Sequence, residues 1–184
     1  MYYAGADASG NVMTWFDTAH GSPTVPIESL IEATQEQYDA RFSQKWTVEN
    51  GALQQAPAPT AAEVLSDAQA MQRAEIDAAY QADIYADIEF KTAAGVTQTF
   101  QADDGSQMVL LQATQGYRIT GAVPDNFFWK AADNTLVAFT LADLEGLYTT
   151  VLARGWAAFQ RRATLKAQIA AATTVSAVTA IVWS

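Results

Sequence analysis

Few side chains in this sequence have the chemistry that nucleophilic catalysis requires. The chain contains no cysteine, and His20 is its only histidine. A catalytic histidine needs an orienting acid and a neighbouring nucleophile, and we identify no acidic partner beside His20 in the loop that leads to Gly21. We therefore expect His20 to be a surface residue, and we expect neither a thiolate nor a histidine-based metal site.

Acidic residues are the second set of candidates, because hydrolases and hard-cation sites both use paired carboxylates. Residues 103–106, DDGS, lack the ligand series of a calcium loop and are typical of a helix N-cap. Asp83, Asp87 and Glu89 have the residue types of a glycosidase pair, but twenty acidic residues bring such neighbours together by chance. We find no phosphate-binding glycine loop and no nucleophile elbow. We predict a protein without catalysis, cofactor or metal.

Aromatic residues offer a third kind of chemistry, since exposed rings stack on sugars. The stretch from Asp125 to Phe139 reads DNFFWKAADNTLVAF. Alternation along a strand puts Phe127 and Trp129 on one face and Phe128 on the other. Large aromatic residues on strands are usually buried, so the sequence favours a hairpin whose rings join a core over a sugar-binding surface.

The charge distribution bears on partners and on membranes. The net charge of −10 argues against a general nucleic-acid binder. Residues 146–184 nevertheless contain four basic and no acidic residues. Such a segment either offers a patch to an acidic partner or packs on the acidic part of its own chain, and we favour the second explanation. The uncharged stretch Ala167–Ser184 is rich in alanine, threonine and serine, so we predict no membrane anchor.

Residues 1–55 predict a small α+β unit. The opening stretch, MYYAGADASGNVMTWF, predicts two short strands around a turn, with Tyr2 and Tyr3 before the turn and Trp15 and Phe16 after it. Two arrangements suit these four rings. They lie on an edge strand that adds to the sheet of a partner, or they form a self-contained hairpin with the rings turned inward.

A helix and a second hairpin complete this unit. Thr34 and Gln37 have capping-box spacing, which predicts a helix through Phe42 whose Tyr38 and Phe42 rings cover the strands. The dipeptide Asn-Gly at 50–51, between two short strand-like runs, predicts a hairpin with a turn of positive φ.

Residues 56–86 predict a stiff spacer followed by a long helix. The spacer APAPT has no bulky apolar residue, and Thr60 with Glu63 starts a helix that continues to Ala86. The apolar positions of the helix form an imperfect stripe: Val64, Leu65, Ala68, Met71, Ile76, Ala79 and Tyr80. An alanine-rich helix of this kind needs a packing partner, and a homo-oligomer through residues 60–86 is one possibility.

Residues 87–184 predict an α+β domain in which two antiparallel hairpins pack with helices. Asp103 or Asp104 caps the helix after the first hairpin, and Asp-Asn at 133–134 turns the second. Thr140 with Asp143 then starts a helix of about thirty residues, judged from the recurrence of its apolar positions. These positions are Leu144, Leu147, Val151, Ala158, Leu165 and Ile169.

Two further features refine this last segment. Gly146 and Gly155 lie inside the long helix and mark either a close approach or a bend. Thr173 or Thr174 caps a final short turn, which brings Ile181 and Trp183 to the domain.

Several stretches resemble proteins of tailed phages. The segment from Ile84 to Trp183 is similar to a domain of unknown function, DUF4376, found in phage and prophage proteins. The stretches that carry this likeness are FQADDGSQ, FFWKAADNTLVAFTLADL and VLARGWAAFQRRATLKAQIAAATTVSAVTAI. The first half resembles tail fibre assembly proteins in MYYAGADASGNV, VPIESLIEATQEQYDARF and WTVENGALQQAPAP.

This resemblance implies a non-catalytic chaperone or accessory factor that binds the tail fibre protein until the fibre assembles. The residues expected to contact the fibre are Tyr2, Tyr3, Trp15 and Phe16. The expected location is the cytoplasm of the host bacterium during assembly, with retention in the virion tail as the alternative. Two other functions remain open: a structural subunit of the baseplate or fibre attachment, and a sugar-binding receptor-recognition module.

Overall fold

A computed structural model describes residues 1–184, which divide into two compact units, 1–60 and 61–184. Both units combine short antiparallel strands with helices, which confirms the α+β prediction. The sequence predicts residues 56–86 as a separate spacer and helix. In the structure the helix at 61–85 belongs to the second unit, because it packs along a later helix of that unit.

The first unit contains a three-stranded sheet, a short helix and a hairpin. Its elements are β1 (Tyr2–Ala6), β2 (Val12–Asp17), β3 (Ile31–Ala33), α1 (Gln35–Asp39), β4 (Trp46–Glu49) and β5 (Ala52–Gln55). The strand order β2-β1-β3 places β1 in the middle of the sheet, antiparallel to both neighbours. Its small core consists of the buried residues Ala4, Ala33 and Leu53 and the half-buried rings around them.

The predicted capping box is present at α1. Thr34 Oγ1 accepts a hydrogen bond from Gln37 N at 3.1 Å, and Thr34 N donates to Gln37 Oε1 at 2.8 Å. Tyr38 covers the sheet as predicted, because its ring stacks on Tyr2 at 4.3 Å. The prediction for Phe42 was wrong. The helix ends at Asp39, so Phe42 lies beyond it and is 84% exposed.

The predicted hairpin turn between β4 and β5 is confirmed. Asn50 and Gly51 have φ angles of 50° and 76°, the left-handed values that a two-residue turn of this hand requires. Asparagine and glycine are the residues that adopt such values most readily, so the local sequence alone determines this turn.

The second unit contains four helices and two hairpins. Its elements are α2 (Ala61–Tyr85), β6 (Ile88–Lys91), β7 (Thr97–Phe100), α3 (Asp104–Thr120), β8 (Phe128–Lys130), β9 (Leu136–Ala138), α4 (Leu141–Ala171) and α5 (Val175–Thr179). Asp103 caps α3 by accepting a hydrogen bond from Ser106 N at 3.0 Å. Thr140 and Asp143 form the predicted capping box of α4, and Thr174 caps α5.

An aromatic core joins the two hairpins to α3 and α4. Phe100 and Phe139 are buried with ring centroids 5.2 Å apart, and Trp129 stacks on Phe139 at 6.3 Å. Leu110 of α3 and a row of α4 residues close this core. The alternation predicted for residues 127–129 is confirmed, since Phe127 and Trp129 face the core and Phe128 is 52% exposed.

The carboxylate of Asp143 connects the first turn of α4 to the hairpin β6–β7. It accepts hydrogen bonds from Thr140 N at 2.8 Å, from Thr140 Oγ1 at 2.6 Å and from Ala93 N at 2.7 Å. The side chain is buried. Burial raises the pKa of Asp143, but the hydrogen bonds from Thr140 and Ala93 outweigh it, so the pKa lies below its usual value of 3.8.

A second core lies where α2, α4 and α5 meet. Its buried residues are Ile76, Ile169 and Val178, with Leu165, Ile181 and Trp183 packed around them. Two amides on α2 hold the C-terminal segment through its backbone: Gln72 Nε2 donates to Ile181 O at 2.9 Å, and Gln69 Nε2 donates to Ala172 O at 3.0 Å.

The stripe predicted on α2 is therefore correct in its middle and wrong at two positions. Ile76 is buried and Leu65 is packed, whereas Val64 is 42% exposed and Met71 is 68% exposed. An apolar residue of a helix meets the partner helix only if it falls on the contacting side, and Val64 and Met71 lie off that side.

The basic half of α4 packs against the acidic helix α2. Arg162 Nε lies 2.6 Å from Asp77 Oδ1, and Lys166 Nζ lies 2.9 Å from Asp77 Oδ2. Arg154 donates to the carbonyl oxygens of Ile84 and Ala86 at 2.9 and 2.6 Å, which satisfies the C-terminal end of α2. These contacts agree with the explanation we favoured for the basic segment. No helix of the protein has the length and apolarity to cross a bilayer.

Alanine substitution distinguishes the two glycines of α4. At Gly146 a Cβ atom would lie 2.9 Å from Phe90 Cζ, whereas at Gly155 it would have no atom within 4 Å. We expect Gly155→Ala to raise the free energy of unfolding by about 0.5–1 kcal/mol through helix propensity. We expect Gly146→Ala to lower it by about 1–3 kcal/mol, because the added methyl overpacks the core. Urea unfolding measures both, and equal effects would contradict this assignment.

Removing the charge of Asp143 should destabilise the second unit. An asparagine cannot accept hydrogen bonds from both Thr140 and Ala93, so we expect Asp143→Asn to lower the free energy of unfolding by about 1–3 kcal/mol at pH 7. The control is Asp125→Asn, which changes an exposed carboxylate and should alter stability by less than about 0.5 kcal/mol.

The stability lost in Asp143→Asn should become smaller as the pH falls. Because the folded-state pKa of Asp143 is lowered, its ionisation stabilises the fold above the unfolded-state pKa and ceases to do so as pH falls through the folded-state value. The difference in stability between wild type and Asp143→Asn should therefore shrink between pH 5 and pH 2, roughly the range over which such a carboxyl titrates. A difference that grows on acidification would refute this role.

Candidate partner-binding cleft

The four aromatic residues expected to bind a partner occupy two different strands. Tyr2 and Tyr3 lie on β1, which pairs with a strand on each side and is not an edge strand. Trp15 and Phe16 lie on β2, which pairs with β1 on one side only. The edge-strand arrangement therefore applies to β2 and was wrong for β1.

The pleat of the sheet also separates the four rings into two faces. Tyr2 and Trp15 turn toward the core of the unit, where the Tyr38 ring lies 4.3 Å from Tyr2 and 6.2 Å from Trp15. Tyr3 and Phe16 are opposite each other in the register of β1 and β2, on the other face. No surface of this sheet presents all four rings together.

A β-bulge sets the direction of the Trp15 side chain. Ala6 pairs with Val12 and Gly5 pairs with Thr14, so Met13 is an extra residue on β2. The extra residue lets Val12 and Trp15, three positions apart, pack on the same core. Met13 is left 68% exposed at the edge of the sheet.

A cleft of about 370 Å³ lies between β2 and the segment that leads into β4. Trp15 and Trp46 form its aromatic wall, with ring centroids 5.9 Å apart and planes at 77°. The other lining residues are Asn11, Val12, Met13, Arg41, Gln44, Lys45, Thr47 and Ala56. The cleft exists because backbone pairing between these two segments is limited to one bridge, Asn11 with Thr47, just before β2 begins.

Gly10 fixes the closed end of this cleft. Val48 N donates to Gly10 O at 2.8 Å, and a Cβ atom on Gly10 would lie 2.9 Å from Val48 O. The φ angle of Gly10 is 83°, which favours glycine over any other residue. Beyond this contact the outer edge of β2 has no neighbouring strand, so its outward N–H and C=O groups are free to pair.

Both basic side chains of the first unit line this cleft. Residues 1–60 contain seven acidic residues and two basic ones, Arg41 and Lys45, and both basic residues line the cleft. Neither forms an ion pair with a carboxylate. The Arg41 guanidinium lies 3.9 Å above the Tyr38 ring and donates to Tyr38 O at 2.6 Å, which holds it in place.

The other candidates from the sequence have local structural roles. His20 Nδ1 lies 2.7 Å from Asp17 Oδ2, so the statement that His20 lacks an acidic partner was wrong. Hydrogen bonds from Ala19 N and from His20 lower the pKa of Asp17, and the His20 side chain is 85% exposed. This pair belongs to the turn after β2. No group of three or more acidic, histidine or cysteine side chains has the geometry to hold a metal ion.

Of the residues that line this cleft, the sequence predicted only Trp15 as a partner-binding candidate and gave no role to Arg41, Lys45 or Trp46. One feature of the sequence could have drawn attention to Arg41 and Lys45: they are the only basic residues among the first sixty. Their proximity to Trp15 depends on where β4 runs relative to β2, and that path cannot be read from local patterns.

The architecture is that of a two-unit α+β protein with an aromatic, basic cleft in the first unit and a helix-rich second unit. The model of a family described as a domain of unknown function (DUF4376) matches residues 67–182. This match covers more than half of the chain, and the chain belongs to this family. No curated protein and no solved structure matches this chain.

Proposed function

We propose that the protein is a non-catalytic accessory factor of phage tail assembly that binds the tail fibre polypeptide. The likeness to tail fibre assembly proteins supplies the biological context. The observation that carries the binding role is the unpaired outer edge of β2 beside the aromatic cleft. An extended segment that adds to such an edge gains backbone hydrogen bonds along its length.

The proposed partner is an extended segment with apolar and acidic side chains. Added next to β2, it would direct alternate side chains toward Trp15 and Trp46, where apolar groups are covered. A carboxylate on the same side would meet Arg41 or Lys45, which have no acidic partner in the chain. The aromatic wall contributes affinity, and the two cations contribute selectivity for the acidic segment.

The amount of protein in particles tests the class of function. In infected cells we expect abundant protein in the host cytoplasm and near absence from purified virions, as measured by quantitative mass spectrometry. A fixed, near-integer ratio to a known tail protein would instead identify a structural subunit and overturn the proposal.

Trp15→Ala should weaken fibre binding more than it weakens folding. Trp15 is half-buried and borders the cleft, so its removal takes away part of the binding wall. We expect co-expressed tail fibre protein to bind at least about tenfold more weakly, or about 1.4 kcal/mol. Phe16→Ala is the control, since Phe16 lies on the opposite face of the same strand. Equal losses in binding and in thermal stability would show that Trp15 acts on folding and is not a binding residue.

Charge reversal at Lys45 tests the acidic character of the partner. We expect Lys45→Glu to weaken fibre binding about tenfold or more at low salt and less at high salt, because screening reduces the repulsion. Lys91→Glu changes an exposed base of the second unit and serves as the control. Unchanged affinity of Lys45→Glu in calorimetry at low salt would show that the partner is not acidic at this position.

A further inference from the structure

Helix α4 has an exposed aromatic stripe that no part of its own unit covers. Leu152, Trp156 and Phe159 recur at spacings of four and three residues, and they are 53%, 61% and 47% exposed. The rings of Trp156 and Phe159 stack with centroids 5.7 Å apart and planes at 17°. Adjoining large apolar side chains on a surface mark an interaction site more often than a solvated face.

The other sides of α4 are already occupied. Leu147 and Val151 face the aromatic core, and Leu165 and Ile169 face the core shared with α2 and α5. The stripe is therefore additional to the helix packing that holds the unit together. Around it lie exposed small or uncharged residues: Thr149, Ala153, Gln160 and Ala163. A second helix can approach the centre of this side closely, while the Arg118–Glu145 pair borders its Leu152 end.

The charges of α4 indicate which partner fits. Its acidic residues, Asp143 and Glu145, lie in the first turns, and its basic residues lie from Arg154 onward. A second copy of the helix, laid antiparallel, brings Glu145 of each copy within about one turn of Lys166 of the other, while Arg154 and Arg162 stay against α2. The same arrangement opposes the two helix dipoles. A parallel arrangement sets like charges against each other along the whole contact.

The spacing of the stripe also matches an antiparallel copy. With the two-fold axis between Trp156 and Phe159, Trp156 of each copy faces Phe159 of the other. Leu152 then faces Ala163, so that a large side chain meets a small one. A two-fold contact needs one self-complementary surface, and this stripe has that property.

We propose that the protein forms a homodimer through antiparallel pairing of α4 along Leu152, Trp156 and Phe159. This interface differs from the homo-oligomer considered for residues 60–86. On α2 the exposed apolar residues Val64 and Met71 stand seven positions apart, while the packed side of the helix is used within the chain. The inference does not depend on the proposed function, because it uses only contacts and charges of the second unit.

Sedimentation velocity on the full chain tests the dimer. We expect wild type to sediment as a dimer at micromolar concentration, and Trp156→Glu or Phe159→Glu to raise the dissociation constant at least tenfold. Met71→Glu, a matched change at an exposed apolar residue of α2, should leave the dimer intact. Circular dichroism verifies that each variant folds. A wild type that stays monomeric, or a dimer that survives both α4 substitutions, overturns the proposal.

Disulfide trapping tests the antiparallel direction. Because the chain has no cysteine, only the introduced residues can cross-link. The antiparallel pairing separates the two copies of residue 152 by about 16 Å along the helix axis and places residue 152 beside residue 163 of the second copy. We expect a mixture of Leu152→Cys and Ala163→Cys proteins to cross-link with each other and neither to cross-link alone. Efficient linkage of Leu152→Cys to itself would show parallel helices and overturn the proposal.

Discussion

The Asp143 carboxylate accepts hydrogen bonds from two elements at once, and much of the second unit follows from that fact. Its bonds to Thr140 start α4, while its bond to Ala93 fixes the loop of the β6–β7 hairpin against the same turn. With this connection in place, Phe90 meets the helix at the one position where only a glycine leaves room. The direction of α4 then determines where α2 can pack and where Asp77 finds its two cations.

Much of the local structure could be predicted from the sequence, because short-range rules determine it. The capping boxes at Thr34 and Thr140, the caps at Asp103 and Thr174 and the Asn50–Gly51 turn are all present. Each satisfies a backbone requirement with residues only a few positions away. The core side of α4 was predictable for a related reason, since its apolar residues keep helical spacing over many turns.

The remaining features depend on which segments meet, and local patterns do not determine that. The third strand that makes β1 central comes from residues 31–33, beyond the proline-containing loop, and its apolar alternation is weak. Phe42 was misplaced because a capping box fixes where a helix starts and not where it ends. Predicting the cleft in the first unit would have required knowing the path of β4 relative to β2. For the same reason, only Trp15 of its lining could be named beforehand as a binding residue.

The bulge at Met13 orients the Trp15 side chain, and it also makes the outer edge of β2 irregular. A regular, unpaired edge invites pairing with the same edge of other copies and so leads to uncontrolled aggregation. On β2 the extra residue interrupts the regular spacing of donors and acceptors and adds local twist. A flat strand cannot follow that edge along its whole length, whereas a segment with a matching irregularity can. An incoming strand therefore has to match the irregularity of β2, which disfavours the indiscriminate sheet growth that a regular edge allows.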